Sequence, residues 1–170
     1  MRYASDLVFE GLSKQRGNTM STATQKSLTS RDEADIRALL ESIDKALHNK
    51  DAAAIVAPYA QDAVICDLAP PLSHRGMDLQ AKRAWLDTWE GPVDRESHDF
   101  DITVTGDFAF GHGFYRLSGT PKSAGRPISF WMRATVCLRR DAGAWRIIHE
   151  HESVPFYMDG SLRPAFDLKP

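Results

Sequence analysis

Cysteine is scarce in this chain. Only Cys66 and Cys137 occur, both inside apolar, strand-like stretches. That excludes a disulfide framework and leaves no zinc-type Cys/His spacing, so two buried thiols are expected. Long apolar runs are missing too, and none approaches the roughly 20 residues that cross a bilayer, so no membrane partner is expected. Nor does one sign of charge dominate. The 21 Lys and Arg and the 23 Asp and Glu are interspersed, giving a formal net charge of -2. There is no basic stripe for nucleic acid and no acidic tail. Met1 to Gly17 mixes Asp6, Glu10, Lys14 and Arg16 with scattered apolar residues and has no continuous apolar centre. This does not read as a secretory signal, and a cytoplasmic location is the expectation.

What is present suffices for one domain. The 170 residues are 42% hydrophobic, enough to furnish a core. Residues 17–30 are polar and aperiodic, so 1–30 is expected as a flexible N-terminal extension, with Met20 a candidate for the natural start. Ser30 followed by Glu33 has the pattern of a capping box. Ile36, Leu39, Leu40, Ile43 and Leu47 then recur at helical spacing, and Asp51 is placed to cap a short second helix. Ala63 to Asp67 reads as a brief strand stopped by Pro70-Pro71. Met77, Ala81, Trp85 and Trp89, four apart, predict a third helix ended by Gly91-Pro92. From Ser97 onward four strands are expected: Ser97 to about Thr105, Phe108–Ser118, Ile128–Arg139 and Ala144–Val154. Residues 157–170 read as an irregular tail. Helices first and consecutive antiparallel strands afterwards indicate an α+β domain over 31–156. The strands are apolar on both faces, so a homodimer is expected to cover the face that the helices leave free.

Side-chain alternation along the last hairpin suggests a pocket wall. On a regular strand Trp145, Ile147, His149, His151 and Ser153 share one face, and Trp131, Arg133, Thr135 and Cys137 share one face of its partner. Ionisable groups on an aromatic-rich face point to a small-molecule site. Arg133, flanked by Met132 and Ala134, needs either a protein carboxylate or an anion from outside. His149 and His151 fit acid–base or ligand hydrogen-bonding roles, with hydrogen bonding within the sheet as the plainer alternative. Their spacing lacks a third ligand of standard pattern, so no metal is assigned. Tyr59, Trp85, Trp89 and Trp131 are core candidates, some of which must line any cavity. His112 lies between Gly111 and Gly113, glycines that allow close packing. His74-Arg75-Gly76 reads as a loop leading into the third helix.

Three segments carry a family resemblance: Tyr59 to Asp67 followed by His74 to Gly76, Gly106 to Gly119, and the Phe130 to Phe156 hairpin with its H-E-H-E-S-V-P ending. With the order of elements, they resemble the SnoaL-like, or nuclear transport factor two-like, superfamily. The hairpin is also similar to the association domain of calmodulin-dependent kinases. The resemblance implies a cone-shaped, curved antiparallel or mixed sheet wrapped around the N-terminal helices, with an internal pocket. It implies either cofactor-free proton transfer on an apolar carbonyl compound, as in isomerases, cyclases and dehydratases, or a non-catalytic ligand-binding or assembly module. Asp67 falls on the position of the ketosteroid isomerase base, although a solvent-facing strand-end carboxylate is the alternative. The enolate-binding donors of those isomerases would fall on Ile43 and about Thr135, which supply no matching groups, so Arg133, His149 or His151 must serve as the electrophile. The expected catalytic set is therefore Asp67, His149 and His151. Ligand contacts are expected from Arg133, Trp131, His112, Tyr59, Trp85 and Trp89. The expected ligand is a small apolar or carboxylate-bearing molecule.

Overall fold

The computed structural model describes residues 22–170, with side chains from Thr29 onward. The expectations for residues 1–21, including Met20 as a start, lie outside the described residues. In chain order the elements are α1 (Thr22–His48), α2 (Ala52–Val56), β1 (Tyr59–Cys66), β2 (His74–Arg75), α3 (Leu79–Asp87), β3 (Trp89–Thr105), β4 (Phe108–Pro121), β5 (Ile128–Asp141) and β6 (Ala144–Ser153).

α1 begins earlier than the Ser30 box suggests. Gln25, Lys26 and Leu28 are good helix formers, so the helix runs through Ser30 instead of starting there. Ile36, Leu40, Ile43 and Leu47 form its buried stripe. Asp51 caps α2, its Oδ1 accepting from the Ala54 N–H at 3.0 Å. Asp78 does the same for α3 from the Ala81 N–H at 2.6 Å. Helix α3 stops at Asp87, and Trp89 already belongs to β3.

The six strands form one curved, unclosed sheet in the order β2-β1-β6-β5-β4-β3. It is mixed, because β1 runs parallel to β6 while the other pairs are antiparallel. Strand β3 starts eight residues before Ser97, and Gly91-Pro92 lies inside it at a register shift between Glu90 and Val93. An edge strand tolerates a proline that a central strand would not. A second shift between His98 and Asp101, with Asp99 at φ 46°, bends β3 over β4. Gly113 permits this bend. A Cβ there would lie 2.6 Å from the Asp99 carbonyl oxygen and 2.8 Å from the Phe100 Cα. The glycines beside His112 therefore serve strand against strand, not helix against sheet.

The concave face packs on the helices. Tyr115, Met132, Ala134, Val136, Leu138, Trp145 and Ile147 are buried there against the α1 stripe. After β6 the chain folds back, with the Ala165 N–H bonded to the Pro155 carbonyl at 2.8 Å. Both cysteines are free and half-buried. Among the described residues, no helix is long and apolar enough to cross a membrane.

Candidate functional site

A cavity of about 300 Å³ opens between the α1 end, α2, α3 and the concave sheet. Its walls are mostly apolar, with Ile43, Leu47, Ile55, Trp85, Trp89 and Met132 among them. Into this lining come Tyr59, Arg95, Glu150 and Glu152, with Asp67 and Lys82 also on the wall.

A single irregularity in β6 determines which groups arrive there. Leu138 pairs with Ile147, but the next residue back on β5, Cys137, pairs with His149. Ile148 is the extra residue of a β-bulge, and it resets the alternation of the strand. Trp145 and Ile147 point inward. Beyond the bulge the inward positions are Glu150 and Glu152. His149 and His151 turn to the convex face. A one-residue slip exchanges the faces of all that follows, so the expectation that the two histidines share a face with Trp145 is corrected.

The same holds across the hairpin. Met132 and Ala134 are buried and Arg133 is exposed, so the guanidinium lies on the convex face and not at the polar end of the cavity. Thr135 and His112 share that face, paired in register. His112 stacks on Phe110 at 5.8 Å between ring centroids. Trp131 lies there as well, with His98 edge-on at 5.4 Å and Arg116 at 5.8 Å. His149 donates from Nδ1 to the Val64 carbonyl at 2.7 Å, which ties β6 to β1. His151 is exposed and lines an outer groove near the cavity mouth. Asp67, Tyr59, Trp85 and Trp89 do reach the cavity; Arg133, Trp131, His112, His149 and His151 do not line it. Asp67 is exposed at its solvent side, and its Oδ1 accepts from the Leu68 N–H at 2.6 Å.

Arg95 organises the interior. Its side chain is 7% exposed. Nε donates to Asp44 Oδ1 at 2.6 Å, Nη1 lies 3.5 Å from Glu150 Oε1 and 4.0 Å from Glu152 Oε1, and the guanidinium covers the Tyr115 ring at 4.3 Å. Burial opposes its charge, but the surrounding Tyr115, Asp44, Glu150 and Tyr59 oxygens outweigh that and hold its pKa well above the ordinary value. Two donors on residues that line the cavity, Arg95 Nη2 and Trp89 Nε1, are buried and have no partner among the described residues. The Tyr115 hydroxyl is also unpartnered.

The carboxylates are in unequal situations. Glu150 accepts a short hydrogen bond from the Tyr59 hydroxyl. Burial and the facing Glu150 push the Tyr59 pKa well up. Burial raises Asp44 too, although Arg95 pulls it the other way. Glu152 has only its 4.0 Å approach to Arg95. Burial, with the charges of Glu150 and Asp67 added, pushes its pKa up to about 8. At neutral pH it is mostly a protonated acid.

Arg95, Glu150 and Glu152 were not among the expected site residues. Arg95 precedes the expected start of its strand, and the two glutamates fall on the wrong face if alternation is carried through unbroken. The Ile147-Ile148 doublet, two adjacent apolar residues where alternation calls for one, is the signal that marks the bulge.

A helix-filled curved sheet around an apolar cavity with a buried ionisable cluster defines a cone-type α+β pocket protein. The family model of the SnoaL-like domain matches residues 36–157, and the chain belongs to that family. It is 33% identical to an NTF2-like protein of unknown function from Pseudomonas putida, covering 84% of this chain and 99% of that one, with a TM-score of 0.74. The same fold occurs in a candidate dehydratase from Streptomyces avermitilis at 16% identity, 73% and 96% coverage and TM-score 0.63. It occurs also in a candidate calcium/calmodulin-dependent protein kinase II association domain from Xanthomonas campestris at 20% identity, 69% and 84% coverage and TM-score 0.59. No curated protein matches the chain.

Proposed function

We propose that the chain is a proton-transfer enzyme acting on a neutral carbonyl compound, with Glu152 as the acid–base group and Arg95 as the electrophile. One observation carries this reading: an apolar cavity is lined by a carboxyl group with one distant partner and an arginine with one guanidinium nitrogen that has none, both counted among the described residues. Proton abstraction next to a carbonyl needs a base and a donor for the oxygen that becomes negative. Ionised Glu152 takes the α-proton, the C–H electron pair moves into the enolate, and Arg95 Nη2 donates to the enolate oxygen. In a β,γ-unsaturated carbonyl, return of the proton from Glu152 to the γ-carbon completes an isomerisation; in a β-hydroxy carbonyl, the C–O bond breaks as the enolate collapses to the α,β-alkene, and the departing hydroxyl takes the proton from Glu152 and leaves as water, which completes a dehydration.

A base of raised pKa is a stronger base in its ionised form, and burial is what raises this one. Asp67, on the same wall but facing water, serves as the relay that exchanges protons between Glu152 and solvent. Tyr59 and Asp44 hold Glu150 and Arg95 in place. The likeness of the fold to the candidate dehydratase from Streptomyces avermitilis is consistent with this chemistry.

The test is deuterium exchange at the α-carbon of butanone in heavy water, followed by NMR. Exchange should rise with pH and level off above about 8 as Glu152 ionises. Absence of any exchange above the buffer rate sinks the reading. The convex face, where Phe108 and Phe110 are exposed, supports a homodimer beside this activity. Light scattering at twice the chain mass is the expected result, and a monomer at micromolar concentration removes it.

A further inference from the structure

The cavity does not end at its mouth. A second, outer groove of about 730 Å³ shares Cys66, Asp67, Leu68, Ala69, Phe130 and Glu152 with the inner cavity. The two spaces therefore meet along these residues, and both carboxyl groups of the proposed proton path stand where they meet. The groove is walled by Leu68, Leu72, Phe130, Val154, Phe156 and Phe166. Four of the nine exposed large hydrophobic residues among the described residues, Leu68, Leu72, Phe156 and Phe166, line it. Scattered apolar residues on a surface need no explanation, but a cluster of this kind marks a binding site. Phe166 packs on Phe130 at 4.7 Å between ring centroids, so the returning C-terminal tail supplies the outer wall.

Charge limits what enters the inner cavity. Asp67, Glu150 and Glu152 line the inner cavity against Arg95 and Lys82, and Arg95 is already committed to Asp44. An anionic head would meet the Asp67 and Glu150 carboxylates and a guanidinium already paired, against the attraction of the Lys82 ammonium, which lies over the Trp85 ring at 4.9 Å. A neutral head avoids that repulsion, and Arg95 and Trp89, whose Nη2 and Nε1 have no partner among the described residues, line the same cavity.

We propose that the substrate is a two-part amphiphile: a small uncharged carbonyl head in the inner cavity and an extended alkyl tail lying in the outer groove. This rests on the proton-transfer reading and adds the substrate class to it. The meeting of the groove with the cavity favours the tail as occupant over a second copy of the chain. The carboxylate-bearing ligand expected from the sequence is not part of this proposal.

The probes are butanone, octanone and dodecanone, with octanoate as the charged control, titrated into the full chain. The indole N–H signals of Trp85 and Trp89 report the inner cavity, and those of Trp131 and Trp145 serve as controls. Ketone affinity should rise about two- to fourfold per added methylene while the tail remains in the groove. Octanoate should bind at least tenfold more weakly than octanone. Phe156→Ser should flatten the chain-length dependence and leave butanone binding unchanged; Leu72→Ser, at a site 97% exposed, repeats the test without risk to folding. Butanone binding with no dependence on chain length, or a dependence that both variants leave intact, overturns the tail groove alone. A dimer that both variants dissociate, again without chain-length dependence, assigns the groove to a second copy and overturns it as well. If no ketone shifts Trp85 or Trp89, the proton-transfer reading fails and this inference fails with it.

Discussion

The two faces of the sheet carry the same kinds of side chain and treat them differently. On the concave face, Arg95, Glu150 and Glu152 are enclosed among apolar walls, with Arg95 Nη1 3.5 Å from Glu150 and 4.0 Å from Glu152. On the convex face, Arg133 and His151 stand in water, and His149 spends its Nδ1 proton on a strand carbonyl. Arg116 is paired with Glu96 at 2.6 Å, both well exposed. An exposed pair of this kind contributes little, because water screens it and side-chain entropy opposes it. The contrast shows that residue type does not make a site; desolvation does. The same arginine-and-carboxylate grouping is surface decoration outside and a charge trap inside.

Removing the central cation should give the largest effect. Arg95→Met leaves Asp44 and Glu150 buried without a counter-charge and should cost about 3 to 5 kcal/mol in urea unfolding at pH 7. Arg133→Met on the convex face should cost less than about 0.5 kcal/mol. Similar losses for the two would erase the distinction between faces.

Catalysis gives the next separation. Glu152→Gln should slow α-proton exchange at least about a hundredfold, equivalent to roughly 2.7 kcal/mol. His149→Gln and His151→Gln should change it less than about twofold if the cavity alone carries the chemistry. A hundredfold loss in either histidine variant would return the site to the convex face.

Stability against pH comes third. The folded pKa of Glu152 is about 8, above the ordinary value of 4.5, so the native state holds this proton more tightly than the unfolded chain. The stabilising contribution is complete below the unfolded pKa and is lost as pH rises towards 8. The unfolding free energy from urea titration should fall between pH 5 and 8 by an amount on the order of 3 kcal/mol, and Glu152→Gln should remove most of that slope. A midpoint that rises over this range contradicts the buried-acid assignment.

The smallest expected effect separates the two carboxyl groups of the proton path. Asp67→Asn should slow exchange by less than about tenfold, because water can replace a relay at an exposed position. A loss equal to that of Glu152→Gln would make Asp67 the base.

Local patterning carried most of the fold. The stripe Ile36, Leu40, Ile43 and Leu47, the Asp51 cap and the four-strand meander are all visible as periodicity and turn chemistry, and the family resemblance supplied the cone. The site was less legible because its residues depend on strand phase, and phase accumulates error. One extra residue at Ile148 moved His149 and His151 outward and brought in Glu150 and Glu152. Gly91-Pro92 looked like a stop, and so Arg95 was left outside its strand, although an edge position lets the strand continue. Asp67 was singled out by its likeness to the isomerase segment and Tyr59, Trp85 and Trp89 as core aromatics; these four line the cavity because each lies near the end of an element, where phase error does not accumulate.

The parallel pairing of β1 with β6 has a consequence for synthesis. Tyr59 and Glu150, bonded to each other, lie 91 positions apart in the chain. β1 emerges from the ribosome with its only long-strand neighbour still unmade, and antiparallel β2, two residues long, is all it can pair with meanwhile. The interior acid cluster cannot assemble until nearly the whole domain has been translated. Contacts of such long separation slow folding and leave strand edges open in the interval. The buried cluster is therefore a late event, and chains cut short before β6 should have a hydrophobic edge and no site.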